Sequence, residues 1–313
     1  MKKEFELVQH SKIRHLNIFM NHIIYRNFHA HSDFELLLVL HGQGNVRIKN
    51  DTFSIGIGDV IFINPHDVHE IDSHDSGMDF LIIQFSRHFL NDYFPILRNT
   101  CFYSAYLRDC FSTEAYTCFL QTLLKLAAVY IDSESFFELP CLHFMIKILM
   151  DLYEKLDYEV LDESAYVERK KRSSRMNRIA AYIDEHYTEP IRLQDMAEKE
   201  QISITRLSHF FTENFGISFQ EYLSDKRLEQ ALLLAGSGNY SLTALSELSG
   251  FSDPKYLNKA FLKKFGCPWN EYKTVIKRNS GQTSHSAKAL EYYYSREESR
   301  EILAESAEQF FKL

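Results

Sequence analysis

An internal repeat in the second half of the chain is the feature that most restricts how it folds. LQDMAEKEQISITRLSHFFTENFGISFQEY at residues 193–222 aligns with LTALSELSGFSDPKYLNKAFLKKFGCPWNEY at residues 242–272. Phe211 matches Phe261, and each is followed four residues later by a Phe-Gly pair. The second copy has one extra residue near its middle. A period of about 50 residues indicates one supersecondary unit that is used twice, with the two copies packed together.

Each copy predicts a helix, a tight turn and a second helix. Apolar residues recur at helical spacing on both sides of a short polar break. Ser203 and Ser252 stand where an N-cap begins the second helix of each unit. Gly250 suits a positive φ in the second turn. Gln201 occupies the matching place in the first copy, which predicts a slightly different turn there.

The ends of these helices are also marked in the sequence. Gly216 and Gly266 follow a phenylalanine in each copy and predict a glycine helix end. Ser218 and Glu221 form a capping-box pattern that opens the next helix, and Pro268 fills an early-helix position in the second copy. That next helix connects the first unit to the second, so residues 176–278 are predicted to form one all-α domain.

Two helix-turn-helix units joined by one helix resemble the AraC/XylS family of bacterial transcription regulators. The resemblance covers about residues 175–275, and GFSDPKYLNKAFLKKFG at 250–266 is close to the family's most characteristic stretch. It implies that the second helix of each unit enters a major groove of double-stranded DNA, at segments roughly 10 bp apart. A helical bundle with a chance repeat and an oligomeric scaffold that binds protein are the alternatives.

The resemblance also assigns the outward residues of each second helix to DNA. The base-reading set is Thr205, Arg206, Ser208, His209, Lys255, Asn258 and Lys259. Asparagine suits adenine and lysine suits guanine, so the second unit is the chemically stronger reader. The phosphate-contacting set, which fixes register without reading sequence, is Thr212, Lys226, Arg227, Lys263 and Lys264.

The first half of the chain predicts a different architecture. Short apolar runs such as FELLLVL, DVIFIN and FLIIQF alternate with turn segments such as HGQG and GIGD between residues 23 and 85. Runs of this length with frequent Gly, Asn and Asp breaks indicate antiparallel strands in a sandwich or barrel. The fold class is therefore α+β with several domains: an N-terminal β-barrel plus helices, then the all-α domain.

A histidine motif within these strands resembles the cupin pattern. His29, His31 and Glu35, with six residues between the glutamate and Gly42, fit its first motif, and His69 falls in its second. The three motif residues share one parity, so an unbroken strand turns them all into the barrel. AraC-type regulators commonly carry such a barrel as a sensor. The resemblance therefore predicts an effector domain at residues 1–110, whose ligand pocket holds these three residues and His69.

The occupant of this pocket stays open at the sequence level. Three histidines and a carboxylate suit a divalent ion such as Zn, Fe, Mn or Ni. They also suit a pocket for a small-molecule inducer, for which a sugar is the family-level expectation, or a group of satisfied polar residues. A metal-dependent cupin enzyme fused to a helical module is the alternative function.

Two helices and a linker are predicted between the halves. Residues 112–131 and 139–156 show helical periodicity, and we expect the region 111–160 to form a homodimer seam. Residues 161–175 are polar and predict an interdomain linker. Residues 279–313 predict a flexible linker followed by a helical extension of unknown role, for which docking, assembly and a further domain are equally open.

Charge is divided between the halves. Residues 1–167 carry 13 basic and 23 acidic side chains, whereas residues 168–278 carry 18 and 14, which indicates that only the back half contacts phosphates. The five cysteines form no CxxC pair, and no apolar stretch suggests a signal peptide or membrane span. We expect a cytoplasmic, ligand-controlled DNA-binding regulator, more an activator than a repressor, with RNA polymerase as a partner in that case.

Overall fold

The computed structural model describes residues 12–49, 51–73, 77–237, 240–273 and 291–311. A strand-rich N-terminal part is followed by a helical part, as the predicted fold class requires. The strands of the described residues are β1 (Leu16–Ile23), β2 (Tyr25–His29), β3 (Asp33–His41), β4 (Gln43–Ile48), β5 (Asp51–Gly56), β6 (Val60–Ile63), β7 (His69–Asp72), β8 (Met78–Ser86), β9 (Thr100–Phe102), β10 (Tyr158–Val160) and β11 (Glu291–Tyr293).

Two antiparallel sheets, here called the barrel, enclose the first hydrophobic core. One has the order β11-β1-β8-β3-β6 and the other the order β2-β7-β4-β5, while β9 and β10 form a separate pair. Along β3, Leu37 and Val39 point between the sheets, whereas Leu36 and Leu38 point to the outer face. This alternation lets one strand serve two cores, which is why every residue of FELLLVL except Glu35 is apolar.

Helices cover the outer face of the larger sheet. They are α1 (Thr113–Asp132) and α2 (Glu138–Lys155), each within one residue of its predicted bounds. Met145, Leu149 and Leu152 of α2 are buried in this second core. The opposite side of α2 is apolar but exposed: Leu139 is 68% exposed, Ile146 43% and Met150 57%.

The predicted interdomain linker is not an irregular segment. Residues 163–175 belong to a continuous helix, α3 (Glu163–His186), which Asp162 caps by accepting the N–H of Ala165. The segment is rich in Glu, Arg and Lys, which favour helix once a cap starts it, and its polarity therefore marks a solvated helix face. Arg169 fixes this helix to the barrel, since its Nη2 lies 3.0 Å from Oδ1 of Asp67.

The helical half follows the repeat. Its elements are α4 (Leu193–Lys199), α5 (Ile204–Phe215), α6 (Phe219–Ser237), α7 (Leu242–Leu248) and α8 (Pro254–Phe265), and residues 269–273 are also helical. The helix α6 contributes Tyr222 and Leu223 to the core of the first unit and Leu228 and Ala231 to that of the second. One helix thus links the two units rigidly.

The last described segment returns to the barrel. β11 extends the larger sheet by pairing with β1, and α9 (Arg296–Phe311) packs on α1 with Leu303 buried in the shared core. Of the open possibilities for this extension, docking on the body is what the structure shows. The linker predicted to begin at residue 279 lies outside the described residues, which resume at residue 291. In the described part of the chain, no helix combines the length and apolarity needed to cross a bilayer.

Candidate DNA interface and effector site

The two turns of the repeat have the same backbone conformation. Gln201 has φ 55° and Gly250 has φ 84°, so both are left-handed. The prediction of a different first turn is wrong, because Gln201 adopts the strained conformation that a glycine would adopt freely. Both turns are closed by equivalent hydrogen bonds, from Ile202 to Ala197 and from Phe251 to Ser246.

The helix caps agree with the sequence except at one position. Ser203 caps α5, and Gly216 and Gly266 end α5 and α8 with positive φ. The cap of α8 is Asp253, whose carboxylate accepts the N–H of Lys255, so the prediction of Ser252 is wrong. The extra residue of the second copy lies here, and Pro254 at the first helical position moves the cap one place along.

The Ser218–Glu221 capping box at the start of α6 is confirmed. The backbone N–H of Ser218 donates to the Glu221 carboxylate, and the N–H of Glu221 donates to the Ser218 hydroxyl. Pro268 directly precedes the helical residues 269–273. The helices that follow the two readout helices, α5 and α8, thus begin where the sequence predicts.

Each readout helix buries one face and exposes the other. Leu207 and Phe211 of α5 and Leu257 and Phe261 of α8 are fully buried. Most of the predicted DNA-contacting residues on these helices are exposed, namely Thr205, Arg206, Ser208, His209, Thr212, Lys255, Lys259 and Lys263. The α8 face is cationic, whereas the α5 face has Arg206 and, about two turns later, the exposed Glu213.

Asn258 has a structural partner. Its Oδ1 accepts the backbone N–H of Trp269 at 3.0 Å, which caps the next helical segment. Adenine recognition by asparagine uses both the amide oxygen and the amide nitrogen. In this conformation the amide oxygen already accepts one hydrogen bond, so adenine readout by Asn258 stays a prediction.

Two predicted phosphate contacts lie inside the helical domain. Lys226 is only 13% exposed, and its Nζ lies 3.0 Å from Asp184 and 3.2 Å from Glu229. Arg227 donates to the backbone carbonyls of Tyr187 and Glu189. The structure therefore places both on internal partners, which lie at the end of α3 and, for Glu229, on α6.

Lys264 differs from its neighbour Lys263. Lys263 is exposed and pairs with Glu221 on α6, whereas Lys264 lies 2.9 Å from Asp72 and 3.5 Å from Glu70 of the barrel. Burial alone would lower the pKa of the Lys264 ammonium, but these two carboxylates raise it above its ordinary value. The predicted phosphate contact is thus occupied by the barrel in this arrangement.

The barrel motif residues lie together at one end of the core. Nε2 of His31 is 3.1 Å from Oε2 of Glu35, and Nε2 of His69 is 3.5 Å from Oε1 of Glu35. His29 and His69 lie with ring centroids 4.0 Å apart, and all four residues are buried. Gln84 completes the group by donating to Glu35 at 2.6 Å.

The electrostatics of this group centre on Glu35. Burial would raise the pKa of the Glu35 carboxyl, but the facing His31 and His69 imidazoles hold it well below its usual range. Burial, Arg26 and His69 together lower the pKa of His29 well below its ordinary value. The group is thus an ionised carboxylate beside a neutral His29, enclosed by strands.

The donor set fits a metal ion at three of the four predicted residues. His31, Glu35 and His69 each offer one atom within 4.8 Å of the others. Nδ1 of His31 lies 2.9 Å from the Asp33 carbonyl, and Nδ1 of His69 lies 3.0 Å from the Asp67 carbonyl. A ring that donates its Nδ1–H to a carbonyl turns an unprotonated Nε2 inward, as in ligating histidines.

Two cavities lie between the barrel and the helical half. The larger, of about 420 Å³, is lined mostly by polar residues of the barrel, α3 and α5, among them Lys49, His66, Arg169 and Arg172. The smaller, of about 20 Å³, is lined by Tyr25 and Asp72 of the barrel and by residues of α6 and α8. Burial, Arg169 and Arg87 lower the pKa of His66 to about 4, so this histidine is neutral at physiological pH.

Sequence reasoning missed three kinds of functional residue. Gln84 was visible as the one polar residue within FLIIQF, at an inward position. Asp253 was visible as a better cap directly before a proline. Glu70 and Asp72 carry no local signal, because their role depends on the partner that the fold brings to them.

Comparison with known proteins agrees with both halves. Residues 13–123 match the AraC-like ligand binding domain, and residues 196–274 match a helix-turn-helix domain, which together is more than half of the chain. The Msm operon regulatory protein of Streptococcus mutans serotype c (strain ATCC 700610 / UA159) is 25% identical over 79% of this chain and 86% of its own length. An uncharacterized HTH-type transcriptional regulator of Staphylococcus aureus (strain MSSA476) is 24% identical over 71% of this chain, which spans 29% of that protein.

Among solved structures, ToxT from Vibrio cholerae O395 is similar with a TM-score of 0.43 and 13% identity over 83% of this chain and 98% of its own. The matched domains and relatives are transcriptional regulators, so the chain is a regulator and not a metal-dependent cupin enzyme. The chain belongs to the AraC family of transcriptional regulators, with that family's ligand-binding domain followed by its helix-turn-helix domain.

Proposed function

We propose that this regulator binds a bipartite DNA site in a sequence-specific way, with α5 and α8 each in one major-groove segment. The observation that carries the proposal is the pair of equivalent exposed faces, each backed by two fully buried anchors, Leu207 and Phe211 or Leu257 and Phe261. The single helix α6 joins the units, so the two faces are presented together. The segments lie roughly 10 bp apart along the duplex.

The chemistry of the two faces assigns their roles. Lys255 and Lys259 suit guanine in the second segment, and Lys263 suits a phosphate at its border. The face of α5 has Thr205, Ser208 and His209 at its reading positions, so its readout relies more on hydroxyl contacts and DNA shape.

A selection with the full chain tests this function. We expect a random duplex library to yield two conserved segments about one helical turn apart. Lys259→Ala abolishes the preference in one segment only, whereas Lys125→Ala, on an exposed position of α1, leaves both intact. Binding that shows no enrichment, and only decays as salt rises, would contradict the proposal.

The effector is a small molecule bound at the polar end of the barrel, around His29, His31, Glu35 and His69. The burial of these four side chains supports a site shielded from water. A sugar is the class that the family suggests. A thermal-shift screen of sugars tests it, with His69→Ala expected to abolish the shift of any hit.

A divalent metal ion is the second candidate occupant of the same site. Both Nε2 atoms face carboxylate oxygens at 3.1 and 3.5 Å, so either a proton or a cation must lie between them. Titration of chelator-treated protein with Zn²⁺ measures this directly. One tight equivalent that His69→Ala removes supports the metal, and the absence of binding assigns the group to protons and the effector alone.

The regulator acts as a homodimer and activates transcription through RNA polymerase. The exposed apolar side of α2 supports the dimer, since Leu139, Ile146 and Met150 share one helix face. A reporter assay in cells, in which the selected site is placed upstream of a promoter, separates activation from repression by the direction of the change.

A further inference from the structure

Both helix-turn-helix units rest on the same edge of the barrel, formed by β2 (Tyr25–His29) and β7 (His69–Asp72). Phe28 of β2 stacks on Tyr222 of the first unit, with ring centroids 6.3 Å apart. Tyr272, the repeat equivalent of Tyr222, lines the small cavity with Tyr25 and Asp72. Equivalent faces of the two units therefore meet one barrel edge.

The same equivalence holds on the readout helices themselves. Lys264 of α8 corresponds to Asn214 of α5 in the repeat. Lys264 reaches Glu70 and Asp72, while Asn214 borders the larger cavity beside Val68. The barrel edge thus lies behind both readout helices.

Lys264 is surrounded by barrel groups. Its Nζ lies 4.2 Å from the centroid of the Tyr25 ring, and its side chain is only 20% exposed. Glu70 is itself held by the Tyr25 hydroxyl at 2.7 Å and by Arg47 at 3.3 Å. A lysine that faces two carboxylates and an aromatic ring within a mostly buried site makes a specific, directional contact.

Helical geometry turns Lys264 away from DNA. It lies seven residues after Leu257 and three after Phe261, so it shares their inward face. Lys255 and Lys259 are on the opposite, exposed face. In the orientation in which α8 reads bases, Lys264 points at the barrel.

We propose that Lys264 is a positioning residue, which ties the second helix-turn-helix unit to the barrel edge so that the barrel sets how the two readout helices face DNA. The inference rests on the proposed DNA-binding function. In the docked arrangement Thr205, His209, Lys255 and Lys259 all remain exposed. The docked form is therefore the form that binds DNA, and an effector in the barrel acts on DNA through this contact.

The adjacent lysines give a matched pair for the test. Lys264→Ala is expected to raise the Kd of the full chain for the selected site about tenfold, since it leaves Glu70 without one partner. It also reduces the preference for the optimal spacing over a site with two extra base pairs, and it leaves the salt dependence unchanged. Lys263→Ala is expected to lower the slope of log K against log salt by about 1 and to keep the spacing preference.

A charge swap and hydrogen exchange complete the experiment. Lys264→Glu should speed amide exchange in residues 69–72 and 254–265 without DNA present, and Asp72→Lys combined with it should restore slow exchange and most of the affinity. A salt slope that falls in Lys264→Ala would make Lys264 a phosphate contact and overturn the proposal. Tighter DNA binding by Lys264→Glu would make the contact inhibitory and also overturn it.

The two proposals fail separately. Absence of specific binding by the unmodified chain defeats the proposed function, whereas hydrogen exchange still reports the contact. Unchanged exchange in Lys264→Glu defeats the positioning role even if the unmodified chain binds its site.

Discussion

Two glycines of the second unit adopt left-handed backbone conformations, but their surroundings differ. Gly250 has φ +84°, and a Cβ there would lie 2.5 Å from Cα of Thr188 and 2.7 Å from the carbonyl oxygen of Tyr187. Gly266 has φ +69°, and a Cβ there would meet nothing within 4 Å. The first position is thus restricted by both conformation and contact, the second by conformation alone.

Replacing each glycine with alanine separates the energetic cost of the left-handed conformation from that of the steric contact. We expect Gly266→Ala to lower the free energy of unfolding of the second unit by about 1–2 kcal/mol through φ alone. Gly250→Ala should cost at least about twice as much, because the end of α3 must also move. Trp269, the single tryptophan, is buried in this unit, so its fluorescence during denaturant unfolding reports the difference. Equal losses would contradict the contact.

A buried carboxyl pair between α3 and α6 shares one lysine. Lys226 contacts both Asp184 and Glu229, so one negative charge is left in excess. Burial and the neighbouring Glu229 raise the pKa of the Asp184 carboxyl. The folded protein therefore keeps a proton that the unfolded chain releases above its ordinary pKa of about 4.

Replacing the ionisable Asp184 carboxyl with a neutral amide should make the free energy of unfolding less dependent on pH. Because the folded state binds more protons here, the free energy of unfolding falls as pH rises from about 4 toward the raised pKa. Asp184→Asn lacks this loss, so its stability relative to the unmodified chain should grow with pH, reaching about 1–2 kcal/mol at pH 8. Thermal unfolding at pH 5 to 8 measures it. Glu185→Gln, at an exposed neighbour, is the control and should show no such trend.

Local chemistry decided which single residues were predictable. Caps, helix-ending glycines and buried anchors depend on neighbours within a few residues, and nearly all were identified from the sequence. The roles of Lys264 and Arg227 were not identified, because their partners are distant in sequence. Lys264 contacts carboxylates of the barrel, and Arg227 contacts backbone carbonyls after α3. The His31–Glu35–His69 group was predictable because its spacing is itself the signal.

At the scale of elements, the length of a periodic apolar run decided how accurately a helix or strand could be predicted from the sequence. The two helices α1 and α2 have bounds within one residue of those expected, because each shows a continuous apolar stripe. The strands β1, β2 and β7 gave weaker patterns, although β1 has eight residues. The first half of α3, residues 163–175, was mistaken for a linker because its surface is polar. The exposed apolar side of α2 is the element whose partner is still to be tested.

Charges on that side should separate the subunits. Ile146→Lys combined with Met150→Lys places two like charges at the expected seam and should convert the dimer to a monomer in sedimentation experiments. Affinity for the selected site should fall if two chains bind it together. Cys118→Lys, at an exposed position of α1, is the control and should remain dimeric. If the double variant still sediments as a dimer, the dimer contact lies elsewhere.

At the scale of the whole molecule, the chain crosses between its two halves twice. It leaves the barrel through α3, passes through both helix-turn-helix units, and returns with β11 and α9. Glu291 accepts hydrogen bonds from Asn21 at 2.7 Å and Arg26 at 3.1 Å, and Tyr294 donates to Asp79 at 2.6 Å. This return had no sequence signal beyond helical periodicity, because pairing with β1 is a contact across 270 residues.

The returning segment should stabilise the barrel selectively. Leu303 is 6% exposed in the core shared with α1, so Leu303→Ala is expected to cost about 2–4 kcal/mol of barrel stability. Trp269 fluorescence should show an unchanged transition for the second unit, while circular dichroism shows an earlier loss of strand signal. Equal shifts in both signals would mean that the halves unfold as one body.

The position of β11 also bears on the order in which the protein forms during translation. A ribosome completes residues 16–86 and the whole helical half before residue 291 emerges, so β1 has an unpaired edge for most of synthesis. An exposed strand edge invites pairing with other nascent chains. The sensor is therefore finished last, after the reader of DNA has already folded, and premature termination between the end of the helical half and β11 releases a DNA-binding half that is joined to an unsealed sensor.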